Sequence, residues 1–164
     1  MNQLASFKDI KTIILDVDGV LTNNQLLITE QGHLLRSMNV KDGYAMRIAM
    51  EVGLKIAIIT GGKSEGVVKR LKGLGIVDIY TNCRIKTDAF EELLLTYQLD
   101  KSQILYMGDD VPDLEVMQQV ALPACPADAC PEIKSICKYI SPYKGGEGCV
   151  RDVIEKILKL NGRW

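Results

Sequence analysis

A chain of 164 residues that is 47% hydrophobic and 25% charged has enough apolar material for one folded domain and too much for a disordered segment. Its formal net charge of −1 offers no general attraction for nucleic acid, and no apolar run approaches the ~20 residues that span a bilayer. The opening residues, MNQLASFKDIK, lack the basic start and apolar stretch of a secretory signal, and the five cysteines (Cys83, Cys125, Cys130, Cys137, Cys149) form no CxxC pair. With a single histidine, His33, set in a polar turn, these features predict reduced thiols in a cytoplasmic protein without a zinc site.

In chain order, residues 11–15 (KTIIL) read as a short buried strand. Residues 25–29 and 33–38 flank Glu30-Gln31-Gly32, a β-hairpin signal with glycine at the turn. Residues 42–52 predict a helix capped by Asp42 and stopped by Gly53, followed by a strand over 55–59. A helix over 64–74 places Val67, Leu71 and Leu74 on one face and ends at Gly75. A strand over 77–80 leads to a helix over 87–99 with Phe90, Leu93, Leu94 and Tyr97 inward. Then come a strand over 103–107, a short helix over 113–120, and brief strands near 121–123 and 137–140. The chain closes with an amphipathic helix over 149–160, its inner face formed by Val150, Val153, Ile157 and Leu160. This alternation predicts an α/β fold: a Rossmann-like, mostly parallel sheet with helices on both faces and a protruding hairpin at about 25–38. Ligands of such folds bind beyond the carboxyl ends of the strands.

The chemically informative residues fall at those ends. Asp16-Val17-Asp18-Gly19 follows the first strand directly. As a calcium loop it fails, because the fifth, sixth and twelfth positions hold Val20, Leu21 and Leu27. Gly108-Asp109-Asp110 follows the fourth strand and Asp113 comes one turn later, where a helix N-cap is a sufficient explanation for Asp113 alone. Four carboxylates at one sheet edge repel each other unless a cation joins them, and an all-oxygen set leaving room for water and phosphate suits Mg²⁺. Thr60-Gly61-Gly62 ends the second strand before a helix, where a hydroxyl and open backbone N–H groups can cradle phosphate. Lys86 stands before the next helix, where a surface lysine is the plain reading.

Taken jointly and in this order, the four segments resemble the haloacid dehalogenase superfamily: DxD, then Ser/Thr, then Lys, then an acidic GDD or GDxxxD. The resemblance spans roughly residues 13–113 and implies a phosphatase. In it Asp16 is the nucleophile and Asp18 the general acid and base. Mg²⁺ is held by Asp16, Asp109 and the backbone carbonyl of Asp18. Thr60, Gly61 and Lys86 bind phosphate, with Asp110 and Asp113 in support. Only one hairpin separates the first motif from the next helix, and one helix and one strand lie between Thr60 and Lys86, so no cap domain fits. The chain reads as a single domain, 1–164.

Nearly the whole length is similar to the capless phosphatases of sugar-acid biosynthesis, through DVDGVLTNN, NVKDGY at 39–44, IITGG, GDDVPD and the tail GGEGCVR at 145–151. That resemblance implies a phosphorylated sugar acid as substrate, an octulosonate 8-phosphate of lipopolysaccharide biosynthesis before others. It also implies a homotetramer whose hairpin and tail (about 141–164) meet neighbouring active sites. Lys41, Lys144 or Arg151 would meet the substrate carboxylate, Arg151 first. The three glycines of Gly145-Gly146-Glu147-Gly148 predict a mobile segment. Position 62 is glycine where octulosonate enzymes often carry arginine and nonulosonate 9-phosphate phosphatases carry glutamate, which leaves the sugar acid open between them. A different class also stays open, since similar domains fused to nucleotide-sugar synthetases serve as oligomerisation or binding modules.

Overall fold

The structure, a computed structural model, describes residues 5–164. It runs α1 (Ala5–Lys8), β1 (Thr12–Leu15), the hairpin strands β2 (Leu27–Ile28) and β3 (Leu34–Leu35), α2 (Val40–Glu51), β4 (Lys55–Ile59) and α3 (Glu65–Gly73). It continues with β5 (Asp78–Tyr80), α4 (Lys86–Tyr97), β6 (Ile104–Met107), α5 (Leu114–Met117), β7 (Leu122–Cys125), α6 (Pro131–Ile136), β8 (Tyr139–Ile140) and α7 (Cys149–Leu160). Six strands form one sheet in the order β5-β4-β1-β6-β7-β8, and every neighbouring pair is parallel.

Period-2 alternation divides each central strand between two cores. Ile13 and Leu15, Ile56 and Ile58, Leu105 and Met107 face α1, α2, α3 and α7. Ile14, Ala57 and Ile59, Ile104 and Tyr106 face α4, α5 and α6. Because both faces are covered, the central strands are apolar beyond Thr12 and Lys55 at their starts, which is why they read as continuous runs. From β1 the chain winds outward through β4 and β5, then returns to the other flank of β1 with β6. The carboxyl end of β1 is therefore the switch point, with β4 and β6 on either side of it. Among the described residues no helix is long and apolar enough to cross a membrane.

Several local expectations need correction. Helix α2 starts at Val40, and its cap is Asn39, whose side chain accepts from Lys41 N and Asp42 N; Asp42 itself lies buried in the first turn. Tyr97 does not point inward: it is 40% exposed, donating its hydroxyl to Asp78 and stacking under the Lys55 ammonium. Leu160 is likewise exposed, and Ile154 and Leu158 fill the inner face of α7 in its place. Strand β7 runs later than expected, and α1 and α6 were not anticipated; four and six residues are too short to show a helical period. The hairpin forms with Gly32 at a φ of +81°, but its paired strands are only two residues each. The Gly145–Gly148 segment is docked on its own chain, as described below.

Candidate active site

The β1 strand ends at Asp16, whose backbone N–H still donates to Met107 O of β6 (3.1 Å) while the chain turns away over Val17–Leu21. The turn closes by Thr22 N–H on Val17 O (3.1 Å), and the Thr22 hydroxyl accepts Gly19 N–H at 3.2 Å. Gly19 adopts a φ of +85°, and a Cβ there would fall 1.9 Å from Asp109 Oδ2. Glycine is thus what lets the β1 turn and the β6 turn bring Asp16 and Asp109 together. Gly108 plays the same part on the other side, since a Cβ would meet the Asp113 carboxyl carbon at 2.4 Å.

Asp16, Asp109 and Asp113 are buried, with one carboxylate oxygen from each within 4.8 Å of the others. Burial, then the neighbouring Asp113, pushes the Asp16 carboxyl up to about 7 despite Lys86 beside it. Burial, then Asp16, Asp113 and Asp110, pushes Asp109 up to about 8. Such a cluster favours any cation that enters it, and the all-carboxylate donor set suits a hard divalent ion. Lys86 Nζ bridges Asp113 Oδ1 (2.7 Å) and Asp16 Oδ1 (3.0 Å). Burial alone would lower its pKa, but Asp16 and Asp113 outweigh burial and raise it. Lys86 is the first residue of α4 and buried, so it is not the surface lysine of the plain reading.

Asp113 is no cap for α5. Its carboxylate accepts from the Tyr106 hydroxyl (2.8 Å), from Asp109 N–H (3.2 Å) and from Lys86. Those contacts commit it to orienting Asp109 and Lys86. Asp110 is the cap here, accepting Val111 N–H at 2.8 Å, and it is exposed, outside the carboxylate cluster. Asp18 also stands outside that cluster: both its oxygens accept from Arg36, Oδ1 from Nε at 2.6 Å and Oδ2 from Nη2 at 3.1 Å. Thr60 is buried at the end of β4, its hydroxyl accepting Gly62 N–H (3.1 Å). Thr60 N–H on Tyr80 O and Cys83 N–H on Thr60 O fix this turn to β5, and Gly61 N–H donates to no described residue.

Lys41 and Arg151 are not brought to this place. They line a separate groove of about 380 Å³ with Asn39, Tyr143 and Glu147. Arg151 Nε lies 2.6 Å from Glu155 Oε1 and its guanidinium sits 5.2 Å from the Trp164 ring. The tail, however, reaches the site loop. Gly146 N–H donates to Val20 O (2.9 Å), Asn39 Nδ2 to Gly146 O (3.2 Å), and Gly145 N–H to Asp128 Oδ1 (2.9 Å). Sequence reasoning missed Arg36, Asn24, whose Nδ2 donates to Asp109 Oδ2 at 3.3 Å, and Tyr106. Tyr106 carried a signal: a hydroxyl in a strand buried on both faces needs a partner.

A buried acidic cluster bridged by a lysine, at the switch point of a doubly wound parallel sheet, defines a hydrolase of the type that the family comparison finds. Residues 70–154 match the model of the haloacid dehalogenase-like hydrolases, and the chain belongs to that family. Its relatives narrow the branch to the 3-deoxy-D-manno-octulosonate 8-phosphate phosphatases. The enzyme of that name from Yersinia pestis is 39% identical over 158 residues, covering 94% of this chain and 84% of the relative. The crystal structure of the Y. pestis phosphatase superposes with a TM-score of 0.96 at 36% identity, covering 99% of this chain and 88% of the other. A Moraxella catarrhalis phosphatase of the same name, solved with magnesium, phosphate and KDO, gives 0.92 at 32% identity, covering 96% and 91%.

Proposed function

We propose that the chain is a Mg²⁺-dependent phosphomonoesterase acting on 3-deoxy-D-manno-octulosonate 8-phosphate through an aspartyl-phosphate on Asp16. The observation that carries this reading is the convergence of Asp16, Asp109 and Asp113 around Lys86 at the carboxyl ends of β1 and β6. The octulosonate 8-phosphate phosphatases among its relatives, and the magnesium, phosphate and KDO of the Moraxella structure, support it.

Asp16 and Asp109, with the backbone carbonyl of Asp18, would hold Mg²⁺, which when bound neutralises charge between the nucleophile and the phosphate. An Asp16 oxygen bonds to phosphorus as the bond to the sugar oxygen breaks, and Asp18 gives that oxygen its proton. Asp18 then takes a proton from water as the water oxygen bonds to phosphorus, and the Asp16–phosphorus bond breaks to release inorganic phosphate. Lys86, the Thr60 hydroxyl and the open Gly61 N–H face the phosphate oxygens, supplying the positive field that phosphoryl transfer requires. Lys86 also holds Asp16 in place from the side of Asp113.

The site has no cap, and the hairpin beside it exposes Leu26, Leu27, Ile28, Leu34 and Leu35. A contiguous apolar arm of this kind fits burial against another copy. The homotetramer, with neighbouring subunits completing each site, belongs to the same proposal. The decisive experiment is phosphate release from a panel of sugar and sugar-acid phosphates, with Mg²⁺ and after EDTA treatment. Turnover of octulosonate 8-phosphate only with metal is expected. Full activity in EDTA, or preference for a nonulosonate 9-phosphate, would overturn the metal or the substrate assignment respectively.

A further inference from the structure

Arg36, just beyond β3, pairs with Asp18 of the site. Its guanidinium holds both oxygens of Asp18, and the side chain is only 7% exposed. The pair lies over Gly62, where a Cβ would approach Asp18 Oδ2 to 3.2 Å and Arg36 Nη2 to 3.3 Å. Glycine at that position leaves the space that the guanidinium uses.

In the proposed reaction an Asp18 oxygen must reach the leaving oxygen of the sugar. The two-pronged contact fixes the carboxylate toward the hairpin, and turning it to the leaving oxygen costs Arg36 at least one of these bonds. A covered guanidinium leaves a carboxylate readily only for another anion, because the alternative is an unpaired charge. The surroundings offer a place for one. Arg36 also lines a groove of about 800 Å³ between the hairpin and α3, together with His33, Lys63, Arg70 and a single acid, Glu65. An octulosonate 8-phosphate carries its phosphate at one end and its carboxylate at the other. With the phosphate against Asp16, the carboxylate has to be met away from the acidic cluster, and this groove is the basic surface that Arg36 itself lines.

We propose that Arg36 is the specificity-determining residue, exchanging the Asp18 carboxylate for the substrate's own carboxylate. A sugar-acid phosphate thereby frees Asp18 to face the leaving oxygen, and a phosphate ester without a carboxylate does not. This rests on the sugar-acid phosphatase reading above. Its signature is the ratio of kcat/KM for octulosonate 8-phosphate to kcat/KM for p-nitrophenyl phosphate, measured on the full-length Mg²⁺ enzyme. In Arg36→Ala that ratio should fall by about thirtyfold or more. The fall should come from loss on the sugar acid and a rise in kcat on the aryl phosphate. Arg36→Lys keeps the charge but not the two-pronged fork, and should keep an intermediate ratio. An unchanged ratio in a folded Arg36→Ala protein, whatever the absolute rates, overturns the proposal. A wild-type enzyme with no preference for the sugar acid would instead overturn the function reading and this inference with it.

Discussion

The Asp42 carboxylate, in the first turn of α2, accepts the backbone N–H of Arg151 at 2.8 Å and so satisfies the start of a helix 109 residues further along the chain. Its other oxygen is buried with no partner among the described residues. Burial therefore pushes the Asp42 carboxyl up from 3.8 to about 6, with the Arg151 N–H offsetting part of the rise.

The sign of the consequence follows from linkage. A carboxyl whose folded pKa lies above its unfolded value binds its proton more tightly when folded. Its stabilising contribution is full below about 3.8 and is lost as pH rises through about 6. At pH 8 the ionised, half-partnered Asp42 costs roughly 3 kcal/mol. Asp42→Asn keeps an acceptor for Arg151 and removes the charge. It should raise the melting temperature by several degrees at pH 8 and by about half as much at pH 5. Asp42→Ala removes the charge and the acceptor alike, and should be about 1 kcal/mol less stable than Asp42→Asn at both pH values. Thermal unfolding of the three proteins at both pH values checks this; an asparagine gain equal at pH 5 and pH 8 would contradict the buried charge.

Asp16→Asn should abolish turnover while preserving the fold. The amide oxygen can still accept Val17 N–H, which Asp16 Oδ1 does at 2.7 Å, so the turn after β1 keeps its first hydrogen bond. What disappears is the carboxylate proposed as the nucleophile, and a loss of at least about a thousandfold in kcat is expected. Phosphate release alongside circular dichroism decides it, and near-normal turnover by a folded variant rules out the covalent route.

Lys86→Met should be a stability variant as well as a kinetic one. It leaves Asp16, Asp109 and Asp113 buried together without their internal cation, at a cost of about 3–5 kcal/mol. The melting temperature should drop by about 6 °C or more. Mg²⁺ should then stabilise the variant more than the wild type, because the ion becomes the only counter-charge in the cluster. Melting curves with and without Mg²⁺ measure both effects; an equal Mg²⁺ response in the two proteins would show that Lys86 does not compensate the acids.

The parts of this site visible in the sequence are those set by the chain's own direction. Asp16, Thr60 and Asp109 each follow an apolar run with no room for a charge, so a polar residue there must lie at a strand end. The sheet then gathers three strand ends separated by dozens of residues. What the sequence hides is which polar groups pair after that gathering. Asp42 reads as a local cap and instead caps α7, while Asn39 does its assumed work. Arg36 is the one charged residue between residues 31 and 40 besides His33, yet nothing local says that it turns toward Asp18, 18 residues earlier. Lys86 looks exposed until the turn after β5 is seen to place the start of α4 beneath Asp113. Glycine is the most ambiguous signal, because freedom of the backbone and closeness of a neighbour select the same residue.

The tail shows that ambiguity, and it carries the last prediction. Gly145 and Gly146 suggest a flexible connector, but a Cβ on Gly145 would fall 2.0 Å from Gly19 O and 2.8 Å from Thr22 O. On Gly146, whose φ is +69°, a Cβ would fall 2.7 Å from Asn23 N. The atoms in the way are backbone atoms of the turn that positions Asp16 and Asp109, so they cannot swing aside as a side chain could. Gly145→Ala should therefore displace the active-site turn, lowering kcat for octulosonate 8-phosphate and p-nitrophenyl phosphate by similar factors and destabilising the protein by about 1–3 kcal/mol. Gly73→Ala is the control: a Cβ in α3 meets nothing within 4 Å, and alanine there should stabilise by roughly 0.5–1 kcal/mol. Kinetics on both substrates and melting curves test the pair. If Gly145→Ala spares the aryl phosphate and costs only the sugar acid, the tail acts on the substrate's far end rather than on the turn beneath it.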